Sequence, residues 1–213
     1  MQDKHHFFIG NILKNEEQIK LLKNIQRKLI KKYRLKGCHW NNKFCANFIY
    51  LGYLDEQTAY KYMDNIMSHL LTQISNRIQE LTCKYTDYKI DSDKSYHKIS
   101  LKFIDTENKL ISIIVQYLHK NGILPIYPNR KKILKPFIDL VYYKEPDMKD
   151  EIRSLVPIDN FVIDHLSLIK GTPIRMRSGA PSLHDQMNFE EIFKYDFPLV
   201  GEVENNNENN ISS

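Results

Sequence analysis

Two strand-like segments of this sequence carry a histidine in their interior, the side chain that most readily transfers protons near neutral pH. His97 lies in "YHKIS", and His165 lies in "DHLSL", two residues before Ser167. Residues two apart on an extended strand face the same side, so the imidazole of His165 and the hydroxyl of Ser167 would be neighbours. These three residues are candidate catalytic residues. The competing interpretation is that His165 is a packed or hydrogen-bonded strand histidine near a sheet edge.

The segment that carries His97 also carries basic side chains. Alternation along residues 97–103 places His97 on an apolar face and Lys98, Ser100 and Lys102 on the opposite face. Two ammonium groups beside a hydroxyl could hold a phosphate. Lys98 and Ser100 are therefore candidate binding residues, and a solvated strand face is the competing interpretation.

Two arginines alternate in "IRMRSG", where Arg175 and Arg177 precede Gly179. On an extended chain both guanidinium groups would point the same way, an arrangement that suits bidentate phosphate recognition. Surface charge is the competing interpretation, both for this pair and for the basic run at 130–135. The sequence has no phosphate-binding glycine loop, no dinucleotide fingerprint and no metal-ligand spacing, so no cofactor and no metal are predicted.

The composition is typical of a soluble globular protein. The 213 residues carry a net charge of +5, which permits a nucleic-acid or nucleotide ligand without specifying one. The spacings of the three cysteines indicate neither a zinc ribbon nor a disulfide framework. No signal-peptide core and no membrane-spanning apolar run occurs. We therefore expect a cytoplasmic protein with no membrane partner, and leave the nucleus and the organelles open.

Apolar periodicity and turn residues predict the order strand, helix, strand, helix, strands, helix, strand, strand. Asn15 and Asp55 are expected to cap the first two helices, and the third is expected at 106–121. This order predicts an α+β domain with two similar lobes, and a ferredoxin-like arrangement is the simpler alternative. The polar tail at 202–213 is predicted to be disordered. The predicted strands lie at 6–13, 43–51, 83–105, 135–143, 160–171 and near 192–199.

In this order the segments resemble the two-histidine phosphoesterase superfamily, and within it the bacterial-type RNA 2',3'-cyclic phosphodiesterase (LigT-like) branch. The similarity runs from about residue 6 to residue 178. The resemblance implies a single domain over 1–201 with a bilobal LigT-like fold, in which two β-α lobes have facing antiparallel sheets and helices on the outside. The segments that carry it are "HHFFIGNILKNEEQIKLLKNIQRKL", "KFCANFIYLGYLDEQTAYKYMDNI", "HKISLKFIDTENKLISIIVQYLHKNGILP", "KKILKPFIDLVYY" and "NFVIDHLSLIKGTPIRM".

The family carries one His-x-Thr or His-x-Ser motif in each lobe, on strands that face each other across a cleft. One histidine acts as general base and the other as general acid, while hydroxyls and backbone hold the phosphate. In this sequence the motifs fall on Cys45-Ala46-Asn47 and Phe137-Ile138-Asp139. Both histidines and both hydroxyl residues are replaced, so the resemblance implies the fold and the cleft position but not the family mechanism.

Alternation places Cys45 and Asn47 on one face of their strand, and Phe137 and Asp139 on one face of theirs. The resemblance implies that these four residues line the cleft. Phe137 could stack on a base, which is worth roughly 1–3 kcal/mol. An ionised Asp139 would repel a phosphate, and the Cys45 thiol would ionise only if a nearby cation lowered its pKa.

The sequence therefore predicts a degenerate protein of this fold that is not catalytic and binds RNA ends, a nucleotide or a protein partner in the former active cleft. The first alternative is an active metal-independent phosphodiesterase that acts on 2',3'-cyclic or 2',5'-linked phosphodiesters, with His165 and His97 as its proton-transfer groups. The second alternative is a structural subunit of a larger assembly.

Overall fold

The computed structural model of this chain describes residues 3–41, 43–68, 81–92, 96–106, 110–122, 136–144, 157, 160–174 and 186–197. Within these residues the helices are α1 (Glu16–Tyr33), α2 (Glu56–Ile66) and α3 (Leu110–Lys120). The strands within them are β1 (Lys4–Ile12), β2 (His39–Trp40), β3 (Cys45–Asp55), β4 (Leu81–Ser92), β5 (His97–Asp105), β6 (Phe137–Tyr143), β7 (Asn160–Ile163), β8 (His165–Ile174) and β9 (Gln186–Asp196).

Asn15 and Asp55 cap the first two helices, which confirms both predictions. The Asn15 side chain accepts a hydrogen bond from the Gln18 backbone N–H at 3.0 Å, and Asp55 accepts one from the Thr58 N–H at 2.9 Å. Each bond satisfies a donor that the first helical turn leaves unpaired. The two caps therefore fix where α1 and α2 begin.

The described strands form one curled antiparallel sheet with the order β7-β4-β5-β6-β3-β1-β8-β9, and β2 pairs with β6. We call β3, β1, β8 and β9 the first lobe, and β6, β5, β4 and β7 the second lobe. Their sheets are continuous because β3 pairs with β6 through Ala46 opposite Ile138 and Asn47 opposite Phe137. The ferredoxin-like alternative, which has four strands, is excluded.

The segment predicted as a single strand at 160–171 is two strands. β7 pairs with β4 in the second lobe, whereas β8 pairs with β1 in the first lobe. The chain crosses between the lobes at Asp164, whose carbonyl accepts a hydrogen bond from the Phe197 N–H at 3.1 Å. The apolar character of the sequence continues through this crossing, so the sequence pattern does not reveal it.

The three described helices pack on one face of the sheet. Phe7 and Ile9 of β1 belong to a large core that includes side chains of all three helices. Phe8, between them, belongs to a second cluster that contains no helix residue and lies on the opposite face. We call this second group the inner apolar cluster: Phe8, Cys45, Tyr50, Ile169, Met187 and Phe189.

No helix in the described part of the chain is long and apolar enough to cross a membrane. The tail at 202–213, predicted to be disordered, lies outside the described residues.

Candidate functional site

The two central strands bring the four predicted cleft residues together. Asn47 lies directly opposite Phe137 in the β3–β6 pair, and opposite residues in an antiparallel pair share a face. Cys45 and Asp139 are each two positions away along their strands and therefore share that face. Ala46 and Ile138, opposite each other, belong to the helix-side core. We call the face that carries Cys45, Asn47, Phe137 and Asp139 the cleft face.

One row of residues crosses the cleft face and passes through both motifs, at Asn47 and at Phe137. Ser167 belongs to this row, so the structure places the hydroxyl of the His165–Ser167 pair on the cleft face, two strands away from Asn47. Gly10 lies between Ser167 and Asn47 and leaves no side chain there. The row follows the strand pairing and consists of Asp87, Lys102, Phe137, Asn47, Gly10, Ser167 and Lys194.

Cys45, at the first motif position, is covered by the inner apolar cluster and is only 2% exposed. Its thiol donates a hydrogen bond to Asn47 Oδ1 at 3.2 Å. Burial raises the pKa of the Cys45 thiol well above its usual value, and the carboxylates of Asp139 and Glu191 raise it further. A nearby cation would favour the ionised thiol, whereas the two carboxylates near Cys45 disfavour it. Cys45 is therefore a neutral thiol.

Asp139, at the hydroxyl position of the second motif, is the centre of a buried hydrogen-bond network. Its carboxylate accepts hydrogen bonds from Ser100 Oγ at 2.6 Å and from Tyr142 Oη at 2.9 Å. Lys98 Nζ lies 3.3 Å from Asp139 Oδ1, and both side chains are almost fully buried. Lys98 and Ser100 therefore reach the cleft face as predicted, but in this structure they bind Asp139.

Phe137 is the half-buried aromatic residue of the cleft face. The ammonium groups of Lys98 and Lys89 lie 5.0 Å and 6.0 Å from the centroid of its ring, within cation–π range. Lys89 also pairs with Asp91 at 2.7 Å. This arrangement gives the second lobe an aromatic surface flanked by positive charge.

The imidazole of His165 is buried between two carboxylates. Its Nδ1 lies 2.5 Å from Asp164 Oδ1, and its Nε2 lies 3.4 Å from Glu191 Oε2. Asn11 Nδ2 approaches the same ring at 3.1 Å. Both ring nitrogens therefore have protein partners. By contrast, the buried hydroxyl of Ser167 has no hydrogen-bond partner among the described residues.

His97 lies away from the cleft face. It is opposite Tyr143, its ring stacks on the Tyr143 ring at 5.0 Å, and its Nδ1 lies 2.9 Å from Ser92 Oγ. Tyr143 belongs to the helix-side core. The apolar company predicted for His97 is confirmed, and the structure does not bring His97 to the motif positions.

Several residues of the site were missed in the sequence because their roles depend on distant segments. Asn41 Nδ2 donates to the carbonyl of Asp139 at 2.8 Å, and Gln26 Nε2 donates to the carbonyl of Leu140 at 2.6 Å. These bonds fix the backbone of β6 from α1 and from the β2–β3 connection. Buried amides of this kind have no sequence signature.

Some predicted residues cannot be placed. Arg175, Arg177 and the basic run at 130–135 lie outside the described residues. Within the described ranges, no group of three His, Cys, Asp or Glu side chains could hold a metal ion.

A cavity of about 570 Å³ lies next to the inner apolar cluster. Ile12, one of its lining residues, is opposite Cys45 in the β1–β3 pair. The ion pair Lys14–Glu191, at 3.6 Å, lies at this cavity. Its lining is Ile12, Lys14, Lys43, Asn188, Phe189, Glu190 and Glu191.

No protein-family model and no curated protein matches this sequence. Many solved structures are similar to this chain, and three of them illustrate the match over nearly its whole length. TT0787 of Thermus thermophilus has a TM-score of 0.60 and 14% identity, over 90% of this chain and 97% of that chain. E. coli LigT complexed with phosphate has a TM-score of 0.52 and 9% identity, over 93% and 100%. Usb1 of Kluyveromyces marxianus has a TM-score of 0.51 and 8% identity, over 89% and 99%.

The chain has the LigT-like two-histidine phosphoesterase fold. The fold class predicted from the sequence is therefore confirmed. Identities of 8–14% establish the fold alone, so function has to be argued from the residues on the cleft face. In this LigT-like fold the adjoining central strands β3 and β6 carry a buried thiol and an aromatic ring where the resemblance places two histidines.

Proposed function

We propose that this protein is not a phosphodiesterase and that the second-lobe half of its cleft binds a nucleotide or an RNA end. The observation that carries the proposal concerns Cys45 and Phe137, which stand where the resemblance places the two histidines. Neither side chain is suited to transfer a proton to or from a substrate. The pKa of the Cys45 thiol is raised by burial and by two carboxylates, and a phenyl ring has no exchangeable proton. General acid–base catalysis needs such groups within hydrogen-bond reach of the substrate.

The proposed ligand follows from the surface around Phe137. An aromatic ring flanked by ammonium groups suits a base that stacks and a phosphate that pairs with a cation. Lys89 and Lys102 are about a quarter exposed, whereas Lys98 is almost fully buried. Lys89 and Lys102 are therefore the cations that a ligand can reach. The phosphate bound by E. coli LigT, which has the same fold, supports a phosphate-bearing ligand.

The carboxylates of the cleft face limit the affinity. Lys89 pairs with Asp91 at 2.7 Å, and Lys102 lies 3.7 Å from Asp87. A phosphate must compete with these partners for the two ammonium groups. We therefore expect modest affinity that decreases as salt is added.

The runner-up function, an active phosphodiesterase, rests on the unpartnered hydroxyl of Ser167 on the cleft face. It needs His165 to exchange a proton with a substrate. Both ring nitrogens of His165 are near carboxylates, so this histidine would first have to leave one of them. For this reason the binding function is favoured.

The test combines a hydrolysis assay with a binding assay on the full chain. We expect no turnover of 2',3'-cyclic nucleotides or 2',5'-linked oligoadenylate above the blank, without added metal. Turnover that the His165→Ala substitution abolishes would establish the runner-up.

In calorimetric titrations with AMP, Phe137→Ala should weaken binding about tenfold or more, because stacking is lost. Tyr53→Ala, at an exposed ring near the end of β3, is the matched aromatic control and should have no effect. Equal AMP affinity in all three proteins would refute the proposed ligand site.

A further inference from the structure

Positive charge is concentrated in one part of this chain. From residue 18 to residue 54 the sequence has nine lysines and arginines and no aspartate or glutamate, whereas the whole chain has a net charge of only +5. Each of the nine is exposed, and none forms an ion pair with a carboxylate of a described residue. They are Lys20, Lys23, Arg27, Lys28, Lys31, Lys32, Arg34, Lys36 and Lys43.

Five of these side chains form a stripe along α1. Their spacing of three or four residues places them on one side of the helix. Arg34, which ends the stripe, adopts a left-handed conformation with φ of 49° and donates its N–H to the Ile30 carbonyl. With a rise of 1.5 Å per residue the stripe is about 21 Å long. We call it the basic stripe: Lys20, Lys23, Arg27, Lys31 and Arg34.

The other side of α1 is fully used in the core. Leu22, Ile25 and Leu29 are buried against the sheet. A helix that binds a membrane surface inserts its apolar side into the lipid boundary. The apolar side of α1 is not available for this, so the exposed charges favour a polyanion in water over a lipid bilayer.

Aromatic side chains lie close to the chain segment that follows α1. The Lys36 carbonyl accepts a hydrogen bond from the Lys144 N–H, and Lys144 Nζ lies 5.4 Å from the centroid of the Tyr96 ring. Tyr96 packs edge-on against His39 with centroids 5.9 Å apart. Trp40, which follows His39 in the sequence, is 44% exposed. His39 and Trp40 are consecutive on β2 and therefore point to opposite faces. We call the aromatic side chains on the two faces of this short strand, His39, Trp40 and Tyr96, the aromatic rim.

We propose that the basic stripe and the aromatic rim form a binding surface for single-stranded nucleic acid. Phosphates lie along the stripe, and unpaired bases stack on the rim. Cations that follow a backbone, combined with aromatic rings that accept any base, are the usual means of binding single strands. A duplex keeps its bases stacked internally and would use the stripe alone. This surface needs no ligand at Phe137, so it is independent of the function proposed for the cleft.

The first experiment measures the binding of a 5'-labelled oligouridylate of 20 nucleotides by fluorescence anisotropy at several salt concentrations. The triple substitution Lys23→Glu, Arg27→Glu, Lys31→Glu should weaken binding about tenfold or more. It should also make the slope of log K against log salt shallower by about 2, since each lost phosphate contact changes that slope by about 0.7. Lys61→Glu, Lys84→Glu, Lys120→Glu is a control at exposed lysines elsewhere. Equal losses in the two variants would overturn the proposal. AMP binding should be unchanged in the stripe variant, which separates this surface from the cleft.

The second experiment uses Trp40, the only tryptophan of the sequence, as a fluorescent reporter. Oligouridylate should change the Trp40 emission because a base stacks on the indole, whereas inorganic polyphosphate should bind without changing it. Trp40→Ala should weaken oligouridylate binding several-fold and leave polyphosphate binding unchanged. Identical behaviour of the two ligands would refute stacking on the rim. Tighter binding to phosphatidylserine vesicles than to oligouridylate would refute a nucleic-acid partner.

Discussion

The two halves of the cleft occupy related places in the sheet but have been filled in different ways. In the first lobe Cys45 lies under aromatic and aliphatic side chains of β1, β8 and β9. In the second lobe Asp139 is held by a lysine, a serine and a tyrosine. One half is stabilised by apolar packing and the other by a buried network of charges and hydrogen bonds.

This difference teaches that the cleft face is filled at the positions where the resemblance places the two motifs. An apolar cluster can admit a polar ligand only if its side chains move apart, which exposes apolar surface. A charge network can exchange one anionic partner for another without losing its packing. The second lobe is therefore the half in which a phosphate-bearing ligand is expected.

The largest effect is expected from Asp139→Ala. This change takes the Asp139 carboxylate away from the Lys98 ammonium, whose side chain is only 7% exposed, and removes the acceptor of Ser100 and Tyr142. We expect a loss of about 3–5 kcal/mol in the free energy of unfolding, measured by urea titration. The double variant Asp139→Leu, Lys98→Met should recover most of it, because both members of the buried charge pair are then replaced by apolar groups. A loss below about 1 kcal/mol in the single variant would contradict a central network.

The inner apolar cluster should be nearly as sensitive. Phe189→Ala removes a ring that packs edge-on against Phe8 at 5.8 Å. We expect a loss of about 3 kcal/mol, at the low end for phenylalanine because the site adjoins a cavity that can take up part of the change. Cys45 should become measurably more reactive toward a thiol reagent, with the modified peptide identified by mass spectrometry. Phe189→Leu is the control and should keep Cys45 protected. An unchanged rate for the alanine variant would show that Phe189 does not cover the thiol.

The sequence predicted this comparison only in part. Alternation correctly grouped Cys45 with Asn47 and Phe137 with Asp139, because side-chain direction along a strand is a local property. The order of helices and strands was also predictable, since apolar periodicity and the capping residues Asn15 and Asp55 act within a few positions.

The partners of these residues were not predictable. Lys98 was expected to face a phosphate, and its carboxylate partner Asp139 lies 41 positions away in the sequence. The crossing at Asp164 was missed because β7 and β8 differ only in the strands with which they pair. Pairing across such separations depends on the whole sheet, and no local pattern encodes it.

The pH dependence of stability reports on the buried thiol of the first lobe. The Cys45 pKa in the folded protein is well above its usual value of 9.0, first because of burial and then because of Asp139 and Glu191. Above about pH 9 the unfolded thiol loses its proton while the folded thiol keeps it, so stability is full below this pH and falls above it. One thiol contributes a slope of about 1.4 kcal/mol per pH unit.

Cys45→Ala should remove that slope in urea titrations at pH 8, 9 and 10. Cys83, whose pKa is also raised by burial, provides a matched variant, Cys83→Ala, with a similar effect. Parallel curves for the wild type and Cys45→Ala would contradict a buried neutral thiol.

The smallest effect is expected at the rim of the second lobe, where Lys102 and Asp87 lie 3.7 Å apart. Their side chains are 23% and 35% exposed, so water screens the attraction and each charge keeps much of its hydration. A double-mutant cycle of Lys102→Met and Asp87→Asn should give a coupling below about 1 kcal/mol. The same cycle at Lys98 and Asp139 should give a larger coupling, because both charges are desolvated. Equal coupling energies would contradict the expectation that burial strengthens the Lys98–Asp139 pair relative to the Lys102–Asp87 pair.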